Sequence, residues 1–202
     1  MPLLDDDAKR KEFTKRAADL APVLRQRAGR TEEMRKIPEE TISDLKDAGL
    51  WRILRPECYG GFVSDFGLMI DVAIELGRGC ASTAWVYINL ISHNWMLPMW
   101  PQEAMDEIWG QDANALIGST LIFPAGKLEP VKGGYHFSGR WSYASGVDAS
   151  DWMMLGAMVA GPDGKSEERI VIVKANDLDL FDNWFVSGLA GTGSKDVACN
   201  GL

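Results

Sequence analysis

The chain has 202 residues, 46% hydrophobic and 25% charged, the balance of a globular protein with room for a substantial core. Its formal net charge of −8 argues against nucleic acid or another polyanion as partner. The first fifty residues hold eleven basic and eleven acidic side chains, so the other ten basic and eighteen acidic ones carry the whole imbalance.

The first 112 residues have helical patterns. From Lys9 to about Gly29, Phe13, Ala17, Leu20 and Leu24 recur at three- and four-residue spacing under a charged face. A second helix is expected from Pro38, with Ile42 and Leu45 on one face and Gly49 as its stop. The connector WRILRPECYGGF follows. Ser64 is the expected cap of a third helix carrying Leu68, Val72 and Leu76 as a stripe. The run from Ala81 to Trp100 is the most apolar, but Asn89, Ser92, His93, Asn94 and Pro98 interrupt it, with a helix expected from about Ala81 to Met96. It reads as a buried helix rather than a membrane span. A short helix begins after Pro101.

After Asp112 the pattern changes to strands. ALIGSTLIF, GYHFSGRWSYA, DWMMLGAMVA, RIVIVKA and LFDNWFVSGL are short and rich in β-branched or aromatic residues, with GPDGK (Gly161–Lys165) as a hairpin loop. The expectation is an α+β protein: a helical domain over 1–112, then an antiparallel barrel- or sandwich-like β-domain over 113–202. KDVACNGL reads as a strand that has just begun, so a longer protein is expected. The N-terminus has no apolar run of a secretory signal. Cys58, Cys80 and Cys199 match neither a metal spacing nor a disulfide framework, which suggests a reducing cytoplasm.

Several chemistries fall away. GLAGTGS (Gly188–Ser194) lacks the GxGxxG spacing and no helical pattern follows it, so a Rossmann site is unsupported. With only His93 and His136, the latter read as a strand-surface residue, no histidine metal site is expected. What remains is a concentration of rings and hydroxyls: Trp85 and His93 on one helix, IGST, and GGYHFSGRWSYASGVDASDW. Trp85 and His93 are eight residues apart, about 12 Å of helical rise, close enough to border one cavity without touching. A satisfied buried histidine and core tryptophans are the plain structural alternative.

The segments GCASTAWV…SHNW, IGST, GRWSYASG and GLAGTGSKDV, in this order, resemble the acyl-CoA dehydrogenase superfamily, and within it the oxygenase components of two-component, reduced-flavin-dependent aromatic monooxygenases. The resemblance runs over nearly the whole chain and implies a helical domain, a β-domain and a C-terminal four-helix bundle that this sequence lacks. It implies reduced FMN (FMNH2) or FADH2 from a separate flavin reductase, O2 as co-substrate, hydroxylation of a phenolic substrate through a flavin C4a-hydroperoxide, and a tetramer in the full-length protein. It also implies roles for residues. Ser145 would hydrogen-bond flavin N5; Trp85, Tyr143 and Ala144 would line the flavin; and Ser119, Thr120 and Leu121 would run beside it. His93 would meet the phenolic oxygen, with Ser119 nearby. A hydroxyl within about 3 Å of N5 would retain its proton, and an aromatic pocket would exclude water. Two departures stand out. STLIFPAGKLEP replaces the Thr-Glu-Pro flavin signature of the dehydrogenases, and Ala190 stands where arginine is common. Acyl thioester oxidation and a non-catalytic remnant stay open as alternatives.

Overall fold

A computed structural model of the chain describes residues 6–161 and 165–202. Among these residues five α-helices come first: α1 (Asp6–Met34), α2 (Glu39–Asp47), α3 (Phe66–Gly79), α4 (Ala81–Met96) and α5 (Gln102–Ile108). α1 continues past its expected end because Gly29 lies on its exposed side, where a missing side chain forfeits no packing, while Thr31 is buried beyond it. The helix ends where Arg35 takes φ 53°. The cap of α3 is Asp65, not Ser64. The Asp65 carboxylate accepts the Leu68 N–H at 3.2 Å, and the buried Ser64 hydroxyl has no partner among the described residues. α4 has the expected bounds and buries Val86, Tyr87, Leu90 and Ile91 in the helical core.

Among the described residues seven strands follow: β1 (Ile117–Thr120), β2 (Gly126–Val131), β3 (Gly134–Ala144), β4 (Trp152–Ala160), β5 (Ser166–Lys174), β6 (Asp179–Phe181) and β7 (Lys195–Asn200). They form one mixed sheet, which corrects the antiparallel expectation. β1 and β2 both run parallel to β4, β1 along Trp152–Leu155 and β2 along Met158–Val159. The short turn at Phe123–Ala125 steps the chain along the edge of β4 without reversing it, so both strands keep one direction. The other pairings, β2–β3, β3–β7, β4–β5 and β6–β7, are antiparallel.

β2 escaped the sequence reading because its alternation is short, with Leu128 the one large apolar residue between Lys127 and Glu129 before Pro130 ends the pattern; it is held by backbone pairing to β3 and by Leu128 in the β core. Conversely, LFDNWFVSGL is a strand only to Phe181. Beyond it, Arg35 grips the Asp182 carboxylate at 2.5–2.6 Å and covers the Phe185 ring, and the Asn183 side chain takes the Asp196 N–H at 3.1 Å, where a ladder bond would otherwise run. Pro162–Gly164, the centre of the expected hairpin loop, lie outside the described residues.

Trp141 fills the middle of the β core. Its indole lies over the paired Gly126 and Gly139, where any Cβ would come within 2.5–2.6 Å of the ring, and its N–H reaches Gly156 O at 2.7 Å. The helical and β parts share a seam. Leu97, Ile108 and Trp109 form one cluster with Ile117 and Met154. Beside it the buried Arg55 guanidinium lies over Trp109 and donates to the carbonyls of Ala113 and Ala115, fixing the approach to β1. Burial lowers its pKa to about 10, and the neighbouring Arg52 charge adds to the shift, so Arg55 stays charged at neutral pH.

Candidate functional site

The surface between α4 and the end of β3 collects the rings and hydroxyls. β3 carries Trp141 inward, and strand alternation would next send Tyr143 to the same side. It does not, because the register with β7 breaks between Trp141 and Ala144 and Tyr143 adopts φ 66°. The Tyr143 ring is thereby thrown outward, 65% exposed, edge-on to Trp184 at 6.1 Å, while Ala144 stays in the core. The next residue, Ser145, is buried.

Gly146 then turns the chain at φ 75°, and its bare Cα allows α4 to approach, since a Cβ would lie 2.8 Å from Val86. That approach brings Trp85, the residue before Val86, to the hydroxyl. The Trp85 indole N–H donates to Ser145 Oγ at 3.1 Å, with the tryptophan still 49% exposed. Ser145 Oγ lies 2.7 Å from Ser194 Oγ, which lies 2.7 Å from Thr192 Oγ1, and the Thr192 hydroxyl donates to Leu189 O at 2.9 Å.

Thr192 and Ser194 belong to the GLAGTGS loop, and Glu32 of α1 anchors it. The Glu32 carboxylate accepts the N–H of Ala190 at 2.8 Å and of Gly191 at 3.3 Å, and also the Ser82 hydroxyl at the start of α4. One acidic side chain of α1 thus ties together the loop and the start of α4, the two elements whose side chains bond Ser145. Glu32, Thr192 and Ser194 were not among the expected site residues. The loop motif was visible, but an acceptor 158 residues away along the chain left no local signal.

The remaining expected residues lie deeper. Thr120 is buried and donates to Ser142 O at 2.9 Å, stitching β1 to β3; Leu121 is half-buried against the seam cluster. Ser119 is half-buried on β1. His93 is only 2% exposed, and its Nδ1 has no hydrogen-bond partner among the described residues. Burial lowers its pKa to about 4, against partial compensation from backbone groups of Ile117, Leu90 and Asn89, so the ring is neutral at neutral pH. It thus borders the base of β1, two residues before Ser119, without a hydrogen bond to Ser119 among the described residues. The structure joins Trp85 to Ser145, two residues from the exposed Tyr143 ring, and buries His93 in the interior. His136 is an exposed strand residue, and no group of three His, Cys, Asp or Glu side chains suited to a metal occurs among the described residues. No helix among them is long and apolar enough to cross a membrane.

Residues 7–110 match the model of the acyl-CoA dehydrogenase N-terminal domain. The chain belongs to the acyl-CoA dehydrogenase family. Within that family it is 36% identical over 179 residues to the oxygenase subunit HsaA of a flavin-dependent monooxygenase from Rhodococcus jostii, covering 88% of this chain and 46% of that protein. It is 35% identical over 183 residues to the oxygenase component of an FADH2-dependent resorcinol hydroxylase from Rhizobium, covering 90% and 44%. The structure of XiaF from Streptomyces in complex with FADH2 and glycerol superposes with a TM-score of 0.91 at 29% identity, over 98% of this chain and 50% of XiaF. The chain therefore spans about half the length of the curated relatives it matches. Its fold, helices followed by a β-sheet, is that of the family.

Proposed function

We propose that this chain belongs to the oxygenase component of a two-component monooxygenase that takes reduced FMN or FAD from a separate reductase and hydroxylates a phenolic substrate. The observation that carries the reading is the bond from the Trp85 indole to Ser145 Oγ, a buried hydroxyl between two exposed rings, Trp85 and Tyr143. A flat heteroaromatic cofactor suits such a surface: the rings offer stacking faces and the hydroxyl a single directional contact. When bound, a reduced flavin supplies the activation of O2.

The chain's own residues would do the rest. Ser145 would hydrogen-bond N5 and help to retain its proton. Trp85 and Tyr143, with the backbone at Ala144, would line the ring. Ser119, Thr120 and Leu121 would form the wall beside it, and the apolar seam behind would keep water out. His93 would face the phenolic oxygen. With a pKa of about 4 it is a poor proton acceptor at neutral pH, so its part is to orient the phenol as a neutral ring rather than to take its proton. The naming of the relatives as oxygenase components supports this reading over oxidation of acyl thioesters.

The test is to mix the chain anaerobically with photoreduced FMN, add O2 and resorcinol, and quantify hydroxylated product and hydrogen peroxide. Product formation is expected, with Ser145→Ala shifting the output towards peroxide. Bleaching of bound oxidised flavin by an acyl-CoA, without hydroxylation, would instead establish a dehydrogenase.

A further inference from the structure

The hydroxyls behind Ser145 form a chain whose direction follows from counting protons. Leu189 O can only accept, so its 2.9 Å contact with Thr192 Oγ1 uses the single Thr192 proton. The 2.7 Å contact between Thr192 and Ser194 must then be donated by Ser194. With that proton committed, the 2.7 Å contact between Ser194 and Ser145 must be donated by Ser145. Trp85 Nε1 can only donate, and it fills one of the two lone pairs of Ser145 Oγ. One assignment satisfies every contact, and it leaves Ser145 with a single free valence, an acceptor. Thr192, Ser194 and Ser145 are all buried, which shields the relay from exchange with water.

We infer that Thr192 and Ser194 are positioning residues that polarise Ser145 into an obligate hydrogen-bond acceptor, so that the site selects reduced over oxidised flavin. The inference rests on the flavin reading of Ser145. The N5 of a reduced flavin carries a hydrogen and donates; the N5 of an oxidised flavin has only a lone pair. Ser145 as polarised matches the first and sets lone pair against lone pair in the second. A two-component oxygenase needs this discrimination, because it must take up the reduced flavin in the presence of its oxidised form and release the oxidised form afterwards. Neither Thr192 nor Ser194 touches the ring in this scheme; the specificity passes through the orientation of a single proton.

The experiment is a pair of anaerobic fluorescence titrations of the chain, one with FMN and one with dithionite-reduced FMN, repeated with Thr192→Val and Thr192→Ser. The unmodified chain is expected to bind reduced FMN at least tenfold more tightly, about the value of one hydrogen bond. In Thr192→Val, close in shape but without the hydroxyl, Ser194 loses its acceptor and turns to donate to Ser145, whose own proton is released towards the ring. Oxidised FMN should then bind roughly tenfold more tightly and reduced FMN more weakly, while Thr192→Ser keeps the original preference. A merely structural threonine would weaken both forms in parallel, and that result overturns the inference. Equal binding of both forms by the unmodified chain overturns it too, yet leaves the flavin site standing. Binding of neither form overturns the flavin reading itself.

Discussion

Lowering the pH from 7 to 5 should weaken the fold through His93. The side chain is 2% exposed, and burial lowers its pKa to about 4 from the ordinary 6.5. The sign follows from the protons bound. Between these two values the unfolded chain takes up a proton at this position and the folded chain does not, so acid favours unfolding. The contribution of neutral His93 is fully present above pH 6.5 and is lost as the pH falls towards 4. Applying the linkage relation to these two pKa values gives a loss of roughly 2 kcal/mol between pH 7 and pH 5, rising to about 3 kcal/mol below pH 4. For a chain of this size, 2 kcal/mol is a fall in Tm of about 4–8 °C. Urea unfolding of the unmodified chain and of His93→Gln at both pH values isolates the effect, since every other titrating group is common to the two. The stability gap between them should change by roughly 2 kcal/mol across the interval, with the glutamine variant the less acid-sensitive. The chain has two histidines, so NMR titration with His136→Asn as the assignment control reads the pKa directly. Parallel pH curves for the two proteins, or a His93 midpoint near 6.5, would refute the reasoning.

Other substitutions test the supports of the site. Gly146→Ala combines a strained positive φ with a Cβ 2.8 Å from Val86, and should cost about 1–3 kcal/mol in urea unfolding while changing the emission of Trp85. Trp141→Phe leaves Gly156 O without its buried donor and should cost about 1–3 kcal/mol; a neutral result would mean that the indole N–H contributes nothing. Asp148→Asn strips the nearly buried Lys195 ammonium of the carboxylate 2.6 Å away and should cost about 3 kcal/mol, most of it regained on adding Lys195→Met. Failure of the double variant to recover would show that the pair does more than neutralise itself. Glu32→Ala frees the amides of Ala190 and Gly191, whose hydrogen exchange should accelerate at least tenfold, with Glu32→Gln intermediate because it retains an acceptor.

Local chemistry in the sequence was sufficient for α4, which runs from Ala81 to Met96 as expected because no glycine or proline falls within it. It was sufficient for the change from helices to strands, whereas the expectation that Trp85 and Ser145 share one surface came from the family resemblance, and the structure joins them by a hydrogen bond. Periodicity could not find β2, whose short pattern offers one large core residue, Leu128, nor set the direction of β1 and β2 against β4, which depends on how a three-residue turn steers the chain. Nor could it end the strand of LFDNWFVSGL at Phe181, since the contacts responsible come from Arg35 at the end of α1. The cap at Asp65 in place of Ser64 is a smaller case, because two adjacent oxygens compete and only the backbone path chooses between them.

The same division holds within the site. Residue types and their order along the chain determined that an aromatic, hydroxyl-rich surface exists and which family it resembles. Only the tertiary structure decided that Trp141 turns inward and Tyr143 outward, that Glu32 anchors the loop of Thr192 and Ser194, and that the hydroxyls of Ser145, Ser194 and Thr192 line up in one chain of contacts. A sequence specifies which groups can donate and accept. The direction in which they do so depends on every neighbour being in place at once, and those neighbours come from α1, α4, β3 and the loop before β7.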